Sequence, residues 1–298
     1  MEKRLNFDLK TILFLTLIAV VCTTATSTKQ FRPRKTPSTP SRSGGWAGRL
    51  NFSYSGAMGP SKWGVLNPAF RTCSHGKSQS PINIVTKNCV SSTKLGPLVR
   101  EFRSTSGELI NNGFNIGLEY SNGGGSALVD GRKFTLKSMH WHSPSEHTID
   151  GTRFPLELHL VHASAEGNLS VVSILYRYGK PDPILNELKH TIDRLKNIKR
   201  APKEEVYIPV GVLKTKFLNP QIRKYYRYVG SLTVPPCPEN IIWNILGKIR
   251  HVSREQVNAI KAPLPGTCKN NARPTQPLNG RKVVLYNEHK PEDEDIDD

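Results

Sequence analysis

"SMHWHSPSEH", residues 138–147, and "PLELHLVH", residues 155–162, together carry five histidines and two glutamates. Residues at i and i+2 of a β-strand share a face, so His140 and His142 project together while Trp141 turns away. In the second run Glu157, His159 and Val161 share one face, and Leu158, Leu160 and His162 the other. The stretch between them contains Asp150-Gly151, a tight-turn pair. Antiparallel pairing of the two runs would bring His140, His142 and His159 within reach of one ion. Three neutral imidazoles suit Zn2+ and leave a fourth tetrahedral position open, the catalytic rather than the closed structural arrangement. Glu157, two residues from His159, is placed to take that ring's other N–H and fix its orientation. His147 and His162 read as buried hydrogen-bonding groups. His75, His190, His251 and His289 have no motif around them and read as surface residues.

The same punctuation runs outward from this centre. "FNIGLEY" precedes "SNGGGS", Asp130-Gly131 breaks the run that ends in His142, and Glu166-Gly167-Asn168 separates "LELHLVHAS" from "LSVVSILYRYG". Apolar, β-branched stretches divided by Asp-Gly and Gly-rich turns are antiparallel strands. Helix signals are few. Asp182 is a candidate cap, followed by Pro183 and by Ile184, Leu185, Leu188, Ile192 and Leu195 on one face. Ser253 and Gln256 form a capping-box pattern. The reading is mainly β: a single domain over residues 51–288 with a few peripheral helices.

The ends differ from this body. Lys3, Arg4 and Lys10 precede an apolar run, Ile12 to Val21, too short to span a bilayer, and small residues follow. That is the pattern of a secretory signal peptide over 1–25. Residues 26–50 form a basic linker rich in Ser, Thr and Pro, and 289–298 a short acidic tail. Of five cysteines, Cys22 leaves with the signal; Cys73, Cys89, Cys237 and Cys268 permit three pairings in an oxidising compartment. Asn51 and Asn168 open glycosylation sequons, as expected of a secreted, extracellular protein. The formal charge is +18. No nucleic-acid-binding motif accompanies it, no second stretch is long enough for a membrane span, and an anionic surface is the fitting partner.

Two metal families use His-x-His followed by Glu. The cupin pattern fails here, because its glycine is misplaced and its second motif is missing. The chain instead resembles the α-class carbonic anhydrases, and the plant-type secreted members in particular, over about residues 50 to 288. The resemblance rests on "KWGVLNP", "GKSQSPINI", "INNG", "MHWHSPSEHTIDG", "LELHLVH", "YRYVGSLTVPPC", "IIW", "SREQ" and "NARPTQPLNGR", in the family's order. It implies a large twisted, mostly antiparallel central sheet with Zn2+ at the floor of a cleft, and reversible hydration of carbon dioxide to bicarbonate. On that resemblance His140, His142 and His159 are the metal ligands, and Glu157 orients the third. Thr233 and Glu146 match the pair that orients the zinc-bound hydroxide. Val161, Val171, Leu232 and Trp243 match the apolar substrate wall, while Tyr54 and Asn112 hold proton-carrying waters. Cys73 and Cys237 match the disulfide of exported members; Cys89 and Cys268 are left as a possible second bridge. Sulfonamide-type inhibitors are expected ligands. A non-catalytic binding or storage role, known among relatives, is the alternative.

The sequence departs from the family pattern at two places. "NNGFN" puts Phe114, or nothing, where fast members carry a proton-shuttling histidine. Ser138 stands where a glutamine usually receives the N–H of the first zinc histidine.

Overall fold

The computed structural model describes residues 51–288 apart from 93, 121–122, 199–203 and 219–220. The expected signal peptide, basic linker and acidic tail, with His289, lie outside the described residues. In chain order the main elements are β1 (Thr105–Asn111), β2 (Ile116–Glu119), β3 (Gly125–Val129), β4 (Arg132–His142), β5 (Leu156–Ala163) and β6 (Leu169–Tyr178). They continue with α1 (Pro183–Lys196), β7 (Val206–Leu213), β8 (Lys224–Ser231), β9 (Glu239–Leu246), β10 (Arg250–Val252), α2 (Arg254–Lys261) and β11 (Val284–Asn287). The strands join one large sheet in the order β7-β1-β2-β4-β5-β6-β9-β8-β11. Pairing is antiparallel except at β6/β9, at β6/β10 and where Val90–Ser91 extends the far edge beside β11. A mostly antiparallel sheet with few helices is therefore what the residues build.

Local chemistry places the turns. Asp130-Gly131 and Asp150-Gly151 both have positive φ, at 49° and 74° and at 47° and 78°. That is the left-handed pair a two-residue hairpin loop needs. The first joins β3 to β4; the second turns within the connection from β4 to β5.

The two faces of the sheet carry two cores. Met139, Trp141, Leu158, Leu160, Val172 and Ile174 point to the face that packs against α1 and α2. There α1 buries Ile184, Leu185, Leu188, Ile192 and Leu195, the face foreseen from spacing. At about 2 kcal/mol for each buried side chain, this stripe contributes on the order of 10 kcal/mol. Its cap is also as foreseen: the Asp182 side chain accepts the Ile184 and Leu185 N–H groups. Ser253 and Gln256 close the capping box of α2. The opposite face carries a smaller cluster of Val171, Leu175, Tyr228, Trp243 and Ile245, and it is on this face that the polar residues of the two opening motifs gather.

Candidate metal centre

Strand register assembles the site. His140 on β4 lies directly opposite His159 on β5, and His142 opposite Glu157. The three ring centroids are 5.0 Å (His140–His142), 5.2 Å (His140–His159) and 4.7 Å (His142–His159) apart. One ring nitrogen from each lies within 4.8 Å of the others. His142 and His159 are buried and His140 is partly exposed, so the cluster opens towards solvent on the His140 side.

The hydrogen bonds fix which nitrogen of two rings is available. His142 Nδ1 donates to the Asn271 carbonyl at 2.6 Å, and its Nε2 is buried with no partner. His159 Nε2 donates to Glu157 Oε1 at 2.8 Å, which leaves Nδ1 as the electron-pair donor. A buried unpartnered nitrogen is costly unless something binds it. A soft-borderline cation preferring imidazole, Zn2+, fits this donor set. Burial, reinforced by the neighbouring rings, holds the His140 imidazole well below its usual range, and burial takes His142 down to about 4. Both rings are therefore neutral at physiological pH, the form that ligates. A second trio, His147, Glu157 and His159, is also compact. Its members are already hydrogen-bonded to one another, so an ion there would have to displace those protons.

Glu157 is saturated with donors. Besides His159 it accepts from His147 Nδ1 at 2.7 Å, Ser173 Oγ at 2.6 Å, and the Glu146 and His147 N–H groups at 2.7 and 2.8 Å. Burial opposes its charge, yet the two histidines and their hydrogen bonds hold its pKa well below the usual carboxylate range. His147 in turn accepts from the Tyr228 hydroxyl at 2.7 Å, and that hydroxyl meets Ser80 Oγ at 2.7 Å. His147 is thus the buried hydrogen-bonding group expected of it. His162 is equally buried, on the far face, where it stacks on Phe102 at 5.5 Å.

Thr233 is buried in the loop that follows β8. The loop is held at several points: the Cys73–Cys237 disulfide, the Leu232 N–H to the Pro238 carbonyl at 3.0 Å, and Gln79 Nε2 to the Cys237 carbonyl at 3.2 Å. Glu146 accepts the Arg273 N–H at 2.9 Å. Burial pushes its pKa up to about 7, against the pull of His159, the Thr233 side chain and Arg273. Val161 lies opposite Val171, and Val171 opposite Trp243, so these three form one row across β5, β6 and β9. Leu232 packs against the same cluster. The Trp243 ring stands 4.8 Å from that of His159, so the apolar wall adjoins the ligand cluster.

Two expected residues, Asn112 and Tyr54, behave in ways the sequence did not announce. Ser138 lies opposite Val161 and, as its short side chain foretells, makes no hydrogen bond to the His140 ring among the described residues. Asn112 spends its side chain on its own turn: Oδ1 accepts the Phe114 and Asn115 N–H groups at 3.1 and 2.8 Å, and Nδ2 donates to Asn115 Oδ1 at 2.8 Å. Tyr54 has a buried, unpartnered hydroxyl in an aromatic cluster with Phe52 and Trp63; burial and then Glu146 raise its pKa. Phe114 joins that cluster at 5.0 Å from Phe52, and no imidazole takes its place. Cys89 and Cys268 are not bridged: Cys268 is buried beside this cluster, while Cys89 sits half-buried against the Val85 carbonyl. Asn51 and Asn168 are both exposed, as glycan attachment requires.

Two residues of the site were not singled out from sequence, although both lie in "NARPTQPLNGR". Asn271 fixes His142 through its carbonyl and bonds Ser143, Phe114 and Trp141 through its side chain. Arg273, fully buried, donates to Gln79 Oε1, the Ser80 carbonyl and the Cys73 carbonyl while its own N–H holds Glu146.

The sheet brings together three convergent imidazoles that could hold a metal ion, a carboxylate behind one of them and an apolar wall beside them. The particular family follows from comparison: residues 58–287 match the family model described as eukaryotic-type carbonic anhydrase, and the chain belongs to that family. It is 37% identical to alpha carbonic anhydrase 7 of Arabidopsis thaliana over 80% of this chain and 84% of that one. Among solved structures, a dioscorin complexed with ascorbate superposes with a TM-score of 0.78 at 37% identity, covering 81% of this chain and all 100% of the other. The alpha-carbonic anhydrase of Thermovibrio ammonificans, in complex with the inhibitor sulfanilamide, gives 0.69 at 36% identity over 78% of this chain and 98% of that chain.

Proposed function

We propose that this protein catalyses the reversible hydration of carbon dioxide to bicarbonate and a proton, with Zn2+ held by His140, His142 and His159. The observation that carries the reading is the convergence of three neutral imidazoles within 4.8 Å, with His142 Nε2 buried and bare. Zn2+ held there would lower the pKa of water to about 7, the value known for carbonic anhydrase, and so would supply a hydroxide nucleophile near neutral pH.

The chain's own residues do the rest. Glu157 keeps His159 in the tautomer that offers Nδ1, and Asn271 does the reverse service for His142, whose Nε2 would be left to bind the ion. Glu146, anchored by the Arg273 N–H, is placed to accept a hydrogen bond from the Thr233 hydroxyl, which would leave the threonine oxygen to accept from the nucleophile. Val161, Val171, Leu232 and Trp243 present carbon dioxide with a surface that offers no competing hydrogen bond. Proton export is the slow stage, because Phe114 cannot take up a proton. The secretory signal, the exposed sequons and the disulfide support an exported protein. Among the described residues no helix is long and apolar enough to cross a membrane.

The similarity to a dioscorin that binds ascorbate keeps a binding or storage role as the second reading. A primary sulfonamide separates the two. One equivalent per zinc should abolish carbon dioxide hydration; hydration that persists at saturating sulfonamide would count against catalysis at this site.

A further inference from the structure

Away from the histidine cluster, where β6 ends and β10 begins, the surface opens into a concavity of about 530 Å3. Arg177, Lys180, Lys248 and His251 stand exposed around it. Its one carboxylate, Asp182, is neutralised: Arg250 pairs with it at 2.9 Å and also donates to the Phe217 carbonyl at 3.0 Å. Arg177, Lys180 and Lys248 have no ion-pair partner among the described residues. Unpaired cations over an apolar floor, here including Pro181 and Ile249, focus a positive field.

A second observation says what meets that field. The described chain leaves the sheet beside this groove. Asn287 lies opposite Lys224, the Glu288 N–H donates to the Arg223 carbonyl at 2.7 Å, and Gly247, itself a groove residue, donates to the Lys224 carbonyl at 2.9 Å. Arg223, paired with Glu288 at 4.0 Å, and Lys224 are both exposed, so Lys224 carries the cationic surface from the exit point towards Lys248. The sequence after Glu288 reads "HKPEDEDIDD", with six carboxylates among residues 292–298. Four residue steps separate Glu288 from residue 292, a reach of at most about 14 Å, so the acidic run is tethered within range of the groove.

We propose that this groove is a polycarboxylate-binding site and that its occupant is the chain's own segment 292–298. Several separate cations line one open groove, which suits a run of carboxylates better than a single compact anion. Tethering supplies the affinity, since a short linker holds the segment at roughly millimolar effective concentration. The attraction is between exposed charges and is therefore salt-sensitive. Nothing in it depends on zinc or on catalysis.

Zero-length carbodiimide crosslinking of the full chain, read by mass spectrometry, tests the placement. Amide bonds are expected between carboxylates of 292–298 and the amines of Lys180 and Lys248, within monomers, and lost in ~1 M salt, where the screening length is about 3 Å. No such crosslinks, crosslinks spread evenly over the surface lysines, or crosslinks joining two chains would overturn the proposal. A labelled poly-glutamate provides the second measurement. Neutralising all six tail carboxylates to Asn or Gln should tighten its binding about tenfold, as expected when a tethered competitor at millimolar effective concentration is removed from a site of ~0.1 mM affinity. Adding Lys180→Glu and Lys248→Glu should abolish that binding. Equal affinity for the parent and neutralised chains, or binding indifferent to the two lysines, would again overturn it.

Discussion

Glu157 Oε1 accepts the His159 Nε2–H at 2.8 Å, and the same oxygen accepts from His147 at 2.7 Å. One carboxylate thus sets the tautomer of His159 and ties it to the inner hydrogen-bonded chain through Tyr228 and Ser80. Glu157→Gln should weaken zinc affinity by about 10- to 100-fold, the usual effect of losing a ligand's orienting partner. It should also remove an acid-sensitive part of the stability. The folded pKa of Glu157 is depressed, so its contribution is present above the unfolded value and is lost as pH falls through the folded one. Acid unfolding of the apo-protein, parent against variant, checks this; superimposable zinc affinities would contradict it.

Among the described residues Ser138 makes no hydrogen bond to the ring of His140, which, unlike those of His142 and His159, has no hydrogen-bond partner there. Ser138→Gln should restore a donor-acceptor contact of sufficient reach and tighten zinc retention by about tenfold or more. Competition against a chelator of known affinity measures it. An unchanged zinc affinity would show that the serine already does the glutamine's work.

Phe114 packs on Phe52 at 5.0 Å and carries no exchangeable proton. A group of pKa about 7 that loses its proton to water alone is limited by recombination at about 10^10 M⁻¹s⁻¹, which caps release on the order of 10^3 s⁻¹. Turnover should therefore rise with imidazole buffer concentration, and Phe114→His should raise kcat while leaving kcat/KM nearly unchanged. A parent enzyme indifferent to buffer would refute proton-transfer limitation.

Glu119 lies opposite both Ser138 and Glu108, and burial, then Glu205 and Glu108, push its carboxyl up to about 7. The sign is the reverse of that at Glu157. Below about pH 4.5 the group is neutral in both states; between there and about 7 the unfolded chain ionises first, so folded stability falls as pH rises. Glu119→Gln should be silent at pH 4 and stabilising at pH 8, on the order of 2 kcal/mol. Denaturant unfolding at the two pH values decides it, and equal effects at both would refute the assignment.

What the sequence disclosed was what short-range rules govern. His140 and His142 share a face because strands alternate, and Asp130-Gly131 and Asp150-Gly151 turn because few other pairs adopt two positive φ values. The convergence of His159 needed only that the two quoted runs be neighbours. Asn271 and Arg273 were not legible, because what each does for His142 and Glu146 is done by a backbone atom. His142 is fixed by the Asn271 carbonyl 129 positions along the chain, and Glu146 by the Arg273 N–H 127 positions along. A main-chain carbonyl or amide has no residue-type signature. Asn112 illustrates the converse: its side chain suited a water-holding role, but the turn it begins claims both of its polar atoms.

The central claim is that the three histidines hold a zinc that hydrates carbon dioxide. The most direct measurement is the initial rate of carbon dioxide hydration against zinc content, on one preparation taken stepwise from metal-free to saturated. Zinc uptake should saturate at one per chain, with a rate proportional to bound zinc, and both should be lost in His159→Ala. Full zinc occupancy without hydration, or a chain that takes up no zinc, would contradict it.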